Sequence, residues 1–235
     1  MIPYTPIDLP ISLPEEEELY QYCVNNTLSK KPNLDNGIIC IVGCKEDLGD
    51  WRAIIDCYDG RIYDEETVNM WSDHYDKLFN AANSVNNTGQ LYFEPKFKQQ
   101  FPTLVDACLK LPFKFITGIH LLLAGNNGTH LHKDPPPMQD DPLQKTTIVP
   151  NRYNISLNCF DEPRFFVQRP DGTDKTYMKV TREYPCFAFN NEDYLHGADL
   201  PGQLGERRMQ LLIYGILDNA KHQELISRSI EKFYG

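Results

Sequence analysis

A mainly β fold, a sandwich or barrel with flanking helices, is what this sequence predicts, on three observations. From Ile116 onward, short apolar stretches recur between turns rich in Gly, Asn, Pro and Asp: Ile116 to Leu123, Tyr153 to Cys159, Arg164 to Gln168, Thr176 to Val180, Pro185 to Asn190 and Arg207 to Ile216. Within YNISLNC the alternation is strict. Tyr153, Ile155, Leu157 and Cys159 share one face, and Asn154, Ser156 and Asn158 the other. The chain before Lys114 and after Asp218 instead carries apolar residues at helical spacing. Many short strands separated by turn signals belong to a sandwich or barrel.

Taken in order, Ser12 to Glu15 (SLPE) fits a capping box, with Pro14 in the first turn and Leu19, Tyr20 and Cys23 following. Asn36 to Gly43 is an apolar run suited to a buried strand. From Glu66 to Val85, apolar residues at Val68, Trp71, Tyr75, Leu78, Phe79 and Ala82 predict a helix. Pro102 to Leu111 predicts a shorter one with Leu104, Val105, Cys108 and Leu109 on one face. Lys221 to Tyr234 closes the chain as an amphipathic helix carrying Leu225, Ile226, Ile230 and Phe233. The expected organisation is one domain: residues 1–114 mostly helical, 115–218 the β core, 219–235 a C-terminal helix.

Composition narrows the function. Hydrophobic residues make up 41%, charged residues 24% and aromatics 11%, which is globular rather than disordered. The 33 acidic and 23 basic residues leave a net charge of −10, which disfavours a nucleic-acid partner. No apolar run approaches the ~20 residues that span a bilayer. The N-terminus, MIPYTPIDLPISLPEEEE, has neither a basic n-region nor an apolar h-region, so a cytoplasmic location is expected. Seven cysteines without regular spacing suit free thiols rather than a disulfide framework.

Three of the six histidines fall where strands are expected to end: His130, His132 and His196. In GTHLHKD (128–134), extended alternation puts His130, His132 and Asp134 on one face. His196 follows a later strand, and Arg207 and Arg208 come eleven and twelve residues after it, heading RRMQLLIYG. Two imidazoles and one carboxylate form the facial triad of non-haem Fe(II) oxygenases. Such a triad leaves coordination positions open for a chelating 2-oxo acid and dioxygen. An arginine in the same barrel then meets the acid's remote carboxylate. Arg207 and Arg208 face opposite sides of their strand. Arg207 shares the more apolar face, with Met209, Leu211 and Ile213, which slightly favours it; Arg208 shares its face with Gln210 and Tyr214.

The order of these parts resembles the Fe(II)/2-oxoglutarate-dependent dioxygenase superfamily over about residues 101–218. FPTLVDACLKLPF, GNNGTHLHKD, NRYNISLN, CFAFNNEDYLHGAD and RRMQLLIYG look most like its aspartyl/asparaginyl β-hydroxylase branch. That resemblance implies a double-stranded β-helix (jelly-roll, cupin-like) core, with His132, Asp134 and His196 binding iron. It further implies 2-oxoglutarate and dioxygen as co-substrates, and hydroxylation of an amino-acid side chain, free or in a peptide, with release of succinate and carbon dioxide. The branch carries an R-x-H pattern for carboxylate groups, and Arg152 and Asn154 occupy those positions, asparagine replacing histidine. An aspartate at 134 favours hydroxylation over halogenation.

Two other classes stay open on sequence. A cupin-type metal enzyme that does not use 2-oxoglutarate would employ His130, His132 and His196, leaving Asp134 as their supporting partner. A jelly-roll interaction module without catalysis would need none of them. The stretch from Pro135 to Thr147 (PPPMQDDPLQKTT) leaves directly from Asp134 and suits a lid or substrate-recognition loop. His120 sits mid-strand and is expected in the core; His74 and His222 are given no role.

Overall fold

The computed structural model describes residues 3–26, 38–44, 91–124, 129–132, 152–189, 193–199 and 207–235. The helix expected over 66–85, Asp134 and the 135–147 loop lie outside these residues. The strands are β1 (Tyr4–Pro6), β2 (Ile38–Cys44), β3 (Tyr92–Phe93), β4 (Phe113–Ala124), β5 (Thr129–His132), β6 (Arg152–Ser156), β7 (Phe165–Gln168), β8 (Thr176–Tyr177), β9 (Cys186–Phe189), β10 (Leu195–Ala198) and β11 (Arg208–Leu217). The helices are α1 (Glu16–Asn26), α2 (Pro95–Gln100), α3 (Pro102–Lys110) and α4 (Asn219–Tyr234).

The strands form two antiparallel sheets. The larger runs β1-β9-β6-β11-β4-β2-β3 and the smaller β5-β10-β7-β8. From β4 onward the chain passes repeatedly between them, so neighbours in space are mostly distant in sequence. The fold is mainly β with a few helices.

Each face of the large sheet has its own apolar layer. On one face Ile119, Leu121 and Leu123 of β4, Tyr153 and Ile155 of β6, and Met209, Leu211 and Ile213 of β11 meet the helices. Leu19, Tyr22 and Cys23 of α1 and Leu104, Val105 and Cys108 of α3 supply the other half of that layer. Tyr22, Phe97 and Phe101 make three mutual ring contacts at 5.2–5.6 Å. Glu94 caps α2 by accepting the Phe97 N–H at 2.5 Å and also accepts the Tyr22 hydroxyl at 2.8 Å. The second, smaller layer lies between the sheets. There Phe165 and Val167 of β7 and Ala198 of β10 meet Phe187 and Phe189 of β9.

The structure adjusts several expectations. Helix α1 starts at Glu16, so Pro14 precedes it. Ile11 is held in extended pairing by its N–H on the Glu183 carbonyl at 3.0 Å, and Pro14 disfavours helical geometry at Leu13. In α3, Leu109 is 58% exposed while Ala107 is buried. At about 100° per residue Leu109 turns past the stripe centred on Leu104 and Cys108. Strand β6 ends at Ser156 and Cys159 takes a left-handed backbone at φ 60°, so the alternation does not run through to Cys159. In β2 an extra residue between Ile41 and Gly43 shifts the register against β4. A Cβ at Gly43 would come within 3.0 Å of Ile119 Cδ1, so glycine permits that close approach. Among the described residues no helix is long and apolar enough to cross a membrane. Among the described residues, Cys23, Cys40, Cys44, Cys108, Cys159 and Cys186 form no disulfide.

Candidate functional site

His196 lies inside β10 rather than after a strand, and His132 is the last residue of β5. The two are register partners across the antiparallel pair. Residues directly opposite on such a pair project from the same face. Their rings stand 4.3 Å apart, centroid to centroid, at 55°. His196 is 1% exposed. Its ring stacks on Phe165 at 5.7 Å and 29° and meets Phe189 at 5.1 Å. His132 is exposed at the strand end. One imidazole is thus seated in an aromatic wall and the other closes over it from the edge strand.

The pairing of β5 with β10 carries an irregularity. His132 stands opposite His196 and Thr129 opposite Ala198, so three steps along β5 match two along β10. Bulges of this kind re-aim side chains beside functional sites. The side chain of His130 lies outside the described ones.

Two neutral imidazoles on adjacent strands are a donor set for one divalent transition metal. The ring separation suits ligation of a single ion, with metal–nitrogen bonds of about 2.0–2.1 Å. Asp134 would follow His132 by two residues. Among the described residues no third His, Cys, Asp or Glu joins the pair.

The two arginines part company at the head of β11. Arg207 turns to α1, its guanidinium 3.3 Å from the Tyr20 ring centroid and its Nη1 3.1 Å from Glu17 Oε2. Arg208 turns the other way. Its guanidinium carbon lies 5.9 Å from the centroid of Phe165, the ring on which His196 stacks. Its Nη1 donates to Gln210 Oε1 at 2.9 Å, and Gln210 is only 2% exposed. The apolar face shared by Arg207, Met209, Leu211 and Ile213 is interior to the sheet–helix layer. The polar face shared by Arg208 and Gln210 is the one turned toward the histidines.

That inner face carries further polar groups. Asn154 of β6, Leu212 of β11 and His120 of β4 stand in one rank across three strands. Asn154 is fully buried and His120 is 5% exposed, its ring 5.0 Å from that of Tyr214. His120 is therefore buried as expected, but on the inner face rather than in the sheet–helix core. Arg152 heads β6 opposite Tyr214. Phe165 and Asn158 draw significance only from neighbours far along the chain. A separate cleft of about 620 Å³ lies beside Arg207 and Asn158, where Arg164, Arg182 and Arg207 are balanced by Glu16, Asp161 and Glu162.

No family model matches the chain, and no curated protein matches it. Among solved structures it is similar to one described as IDO from Bacillus thuringiensis, at 10% identity and a TM-score of 0.33. The alignment covers 86% of this chain and 98% of that one. A likeness at that score carries no argument about fold or activity.

Proposed function

We propose that this chain is a non-haem Fe(II)- and 2-oxoglutarate-dependent oxygenase that hydroxylates an unactivated C–H bond of an amino-acid side chain, free or within a peptide. The observation that carries the reading is the cross-strand pair His132–His196, with Arg208 at the Phe165 ring on which His196 stacks. Strand order supports a double-stranded β-helix core. Counting from β4 as the first of eight strands, the large sheet holds them as 6-3-8-1 and the small one as 2-7-4-5, the interleaving of a jelly roll.

In this reading His132, His196 and Asp134 hold the iron, and Arg208 receives the remote carboxylate of 2-oxoglutarate. Asn154 and Arg152, on the neighbouring strand β6, serve the remaining carboxylate groups. The bound metal, oxo acid and dioxygen together supply the oxidising chemistry, with succinate and carbon dioxide released. The chain's part is positional. Phe165 and Phe189 wall off water behind His196 and fix its ring plane. Gln210 holds the Arg208 guanidinium so that a carboxylate meets an oriented fork.

Anaerobic titration of metal-free protein with Fe(II) and 2-oxoglutarate tests this directly. The expected result is a weak visible metal-to-ligand charge-transfer band that is lost in His196→Ala. Metal uptake without the band would replace the proposal with a cupin-type metal enzyme that does not use 2-oxoglutarate. Absence of metal uptake would leave a non-catalytic interaction module.

A further inference from the structure

We infer that Asn158 is a positioning residue that sets the aim of Arg208 toward the remote carboxylate of the oxo acid; the inference rests on the co-substrate reading above. Strand β6 ends at Ser156, and the backbone ladder to β11 closes with the Leu157 N–H on the Met209 carbonyl at 3.0 Å. Beyond that point the Asn158 carboxamide continues the ladder in place of backbone. Its Oδ1 accepts the Met209 N–H at 2.8 Å, and its Nδ2 donates to the Arg207 carbonyl. The first bond holds the peptide group after Arg208 and the second holds the peptide group before it. With both planar groups pinned, φ and ψ of Arg208 are fixed, and so is the direction in which its side chain leaves the strand.

The surroundings make this an anchored clamp. Asn158 is 7% exposed, and its Nδ2 also donates to Glu16 Oε1 at 3.0 Å, which ties the clamp to α1. Cys159 Sγ adds a second contact to the Arg207 carbonyl at 3.3 Å. At the other end of the side chain, Gln210 receives the guanidinium. An asparagine suits the place because one flat group supplies an acceptor and a two-hydrogen donor together. Aspartate keeps the acceptor for Met209 but sets a carboxylate against the Arg207 carbonyl and Glu16.

The test compares two oxo acids on the same Fe(II)-loaded protein, read by the charge-transfer band. 2-Oxoglutarate has the remote carboxylate that Arg208 would meet, and 2-oxobutyrate chelates identically but lacks it. Asn158→Ala is expected to weaken 2-oxoglutarate by about tenfold, with Fe(II) affinity and 2-oxobutyrate affinity unchanged. Asn158→Asp, of nearly the same shape, is expected to show the same selective loss and serves where the alanine variant folds poorly. Equal weakening of both oxo acids, or of neither, overturns the inference while leaving the proposed function intact. A wild-type protein that gives no band with either acid overturns the co-substrate reading itself, and this inference with it.

Discussion

His132 and His196 face each other across β5 and β10 at 4.3 Å between ring centroids, yet one is exposed and the other is 1% exposed. Losing either ring removes half of the imidazole pair, so His132→Ala and His196→Ala are both expected to abolish stoichiometric Fe(II) binding. Their folding costs should differ. His196→Ala deletes the contacts to Phe165 and Phe189 and is expected to cost about 1–3 kcal/mol, whereas exposed His132→Ala should stay within about 0.5 kcal/mol. Urea unfolding of the metal-free variants separates the two effects. Equal destabilisation would mean that the burial difference is not expressed in solution.

The divergence of Arg207 and Arg208 makes a second comparison possible. Arg208→Leu is expected to raise the KM for 2-oxoglutarate by roughly 30-fold or more, the scale of losing one partner of a charge-assisted pair. Arg207→Leu should leave that KM within about twofold, because its guanidinium lies on Tyr20 and Glu17 of α1. Steady-state kinetics at saturating substrate decides between them; a larger effect at Arg207 would reverse the assignment of the two faces of β11.

The parting of the two arginines is only half legible in the sequence. Alternation in β11 correctly divides Arg207 and Arg208 between two faces. It does not reveal that the apolar face lies under helices and the polar face toward the other sheet, because a two-layer sheet has two interiors. The strand holding His196 is only four residues long and follows polar NNEDY, so it reads as a loop after β9 rather than as β10. Local periodicity does recover β4, α3 and α4, whose apolar residues repeat over two or more turns or pleats. Phe165 and Asn158 were beyond it. Phe165 meets His196, 31 residues on, and Asn158 clamps Arg207 and Met209, 49 and 51 residues on, and nothing local distinguishes the two from ordinary strand and turn residues.

At the opposite edge of the fold, Asp8 joins the N-terminal segment to α4 through Lys232 at 2.6 Å and Arg228 at 2.9 Å. The hydrogen bond from Lys232, with the two positive charges, holds the Asp8 carboxyl below its ordinary value. A depressed carboxylate contributes stability above its unfolded value of about 3.9 and loses it as the pH falls through the folded value. Asp8→Asn is therefore expected to lower the urea midpoint at pH 7 and to approach wild type as the pH falls through the folded value. Raising the salt concentration at pH 7 should shrink the difference. An effect of the same size at pH 7 and below the folded value would assign it to packing rather than charge.

Tyr153 and His222 give the fold a second pH dependence of the same sign, set at higher pH. The fully buried Tyr153 carries its hydroxyl 2.6 Å from His222 Nδ1, binding β6 to α4. Burial holds the His222 imidazole below its ordinary value, so the folded state favours the neutral ring, which can accept the tyrosine hydroxyl. The unfolded chain then binds more protons than the folded one between the two values. Stability should fall as the pH drops from about 6.5 through the lower folded value, and should level off below it. His222→Gln, an uncharged acceptor, is expected to flatten that part of the profile, while Tyr153→Phe should cost about 1 kcal/mol at pH 7.5 by leaving the half-buried nitrogen without its donor. Urea midpoints taken from pH 7.5 to 5 for the three proteins provide the check. A wild-type slope that survives in His222→Gln would move the titration to another group and leave the Tyr153 bond as a purely structural tie.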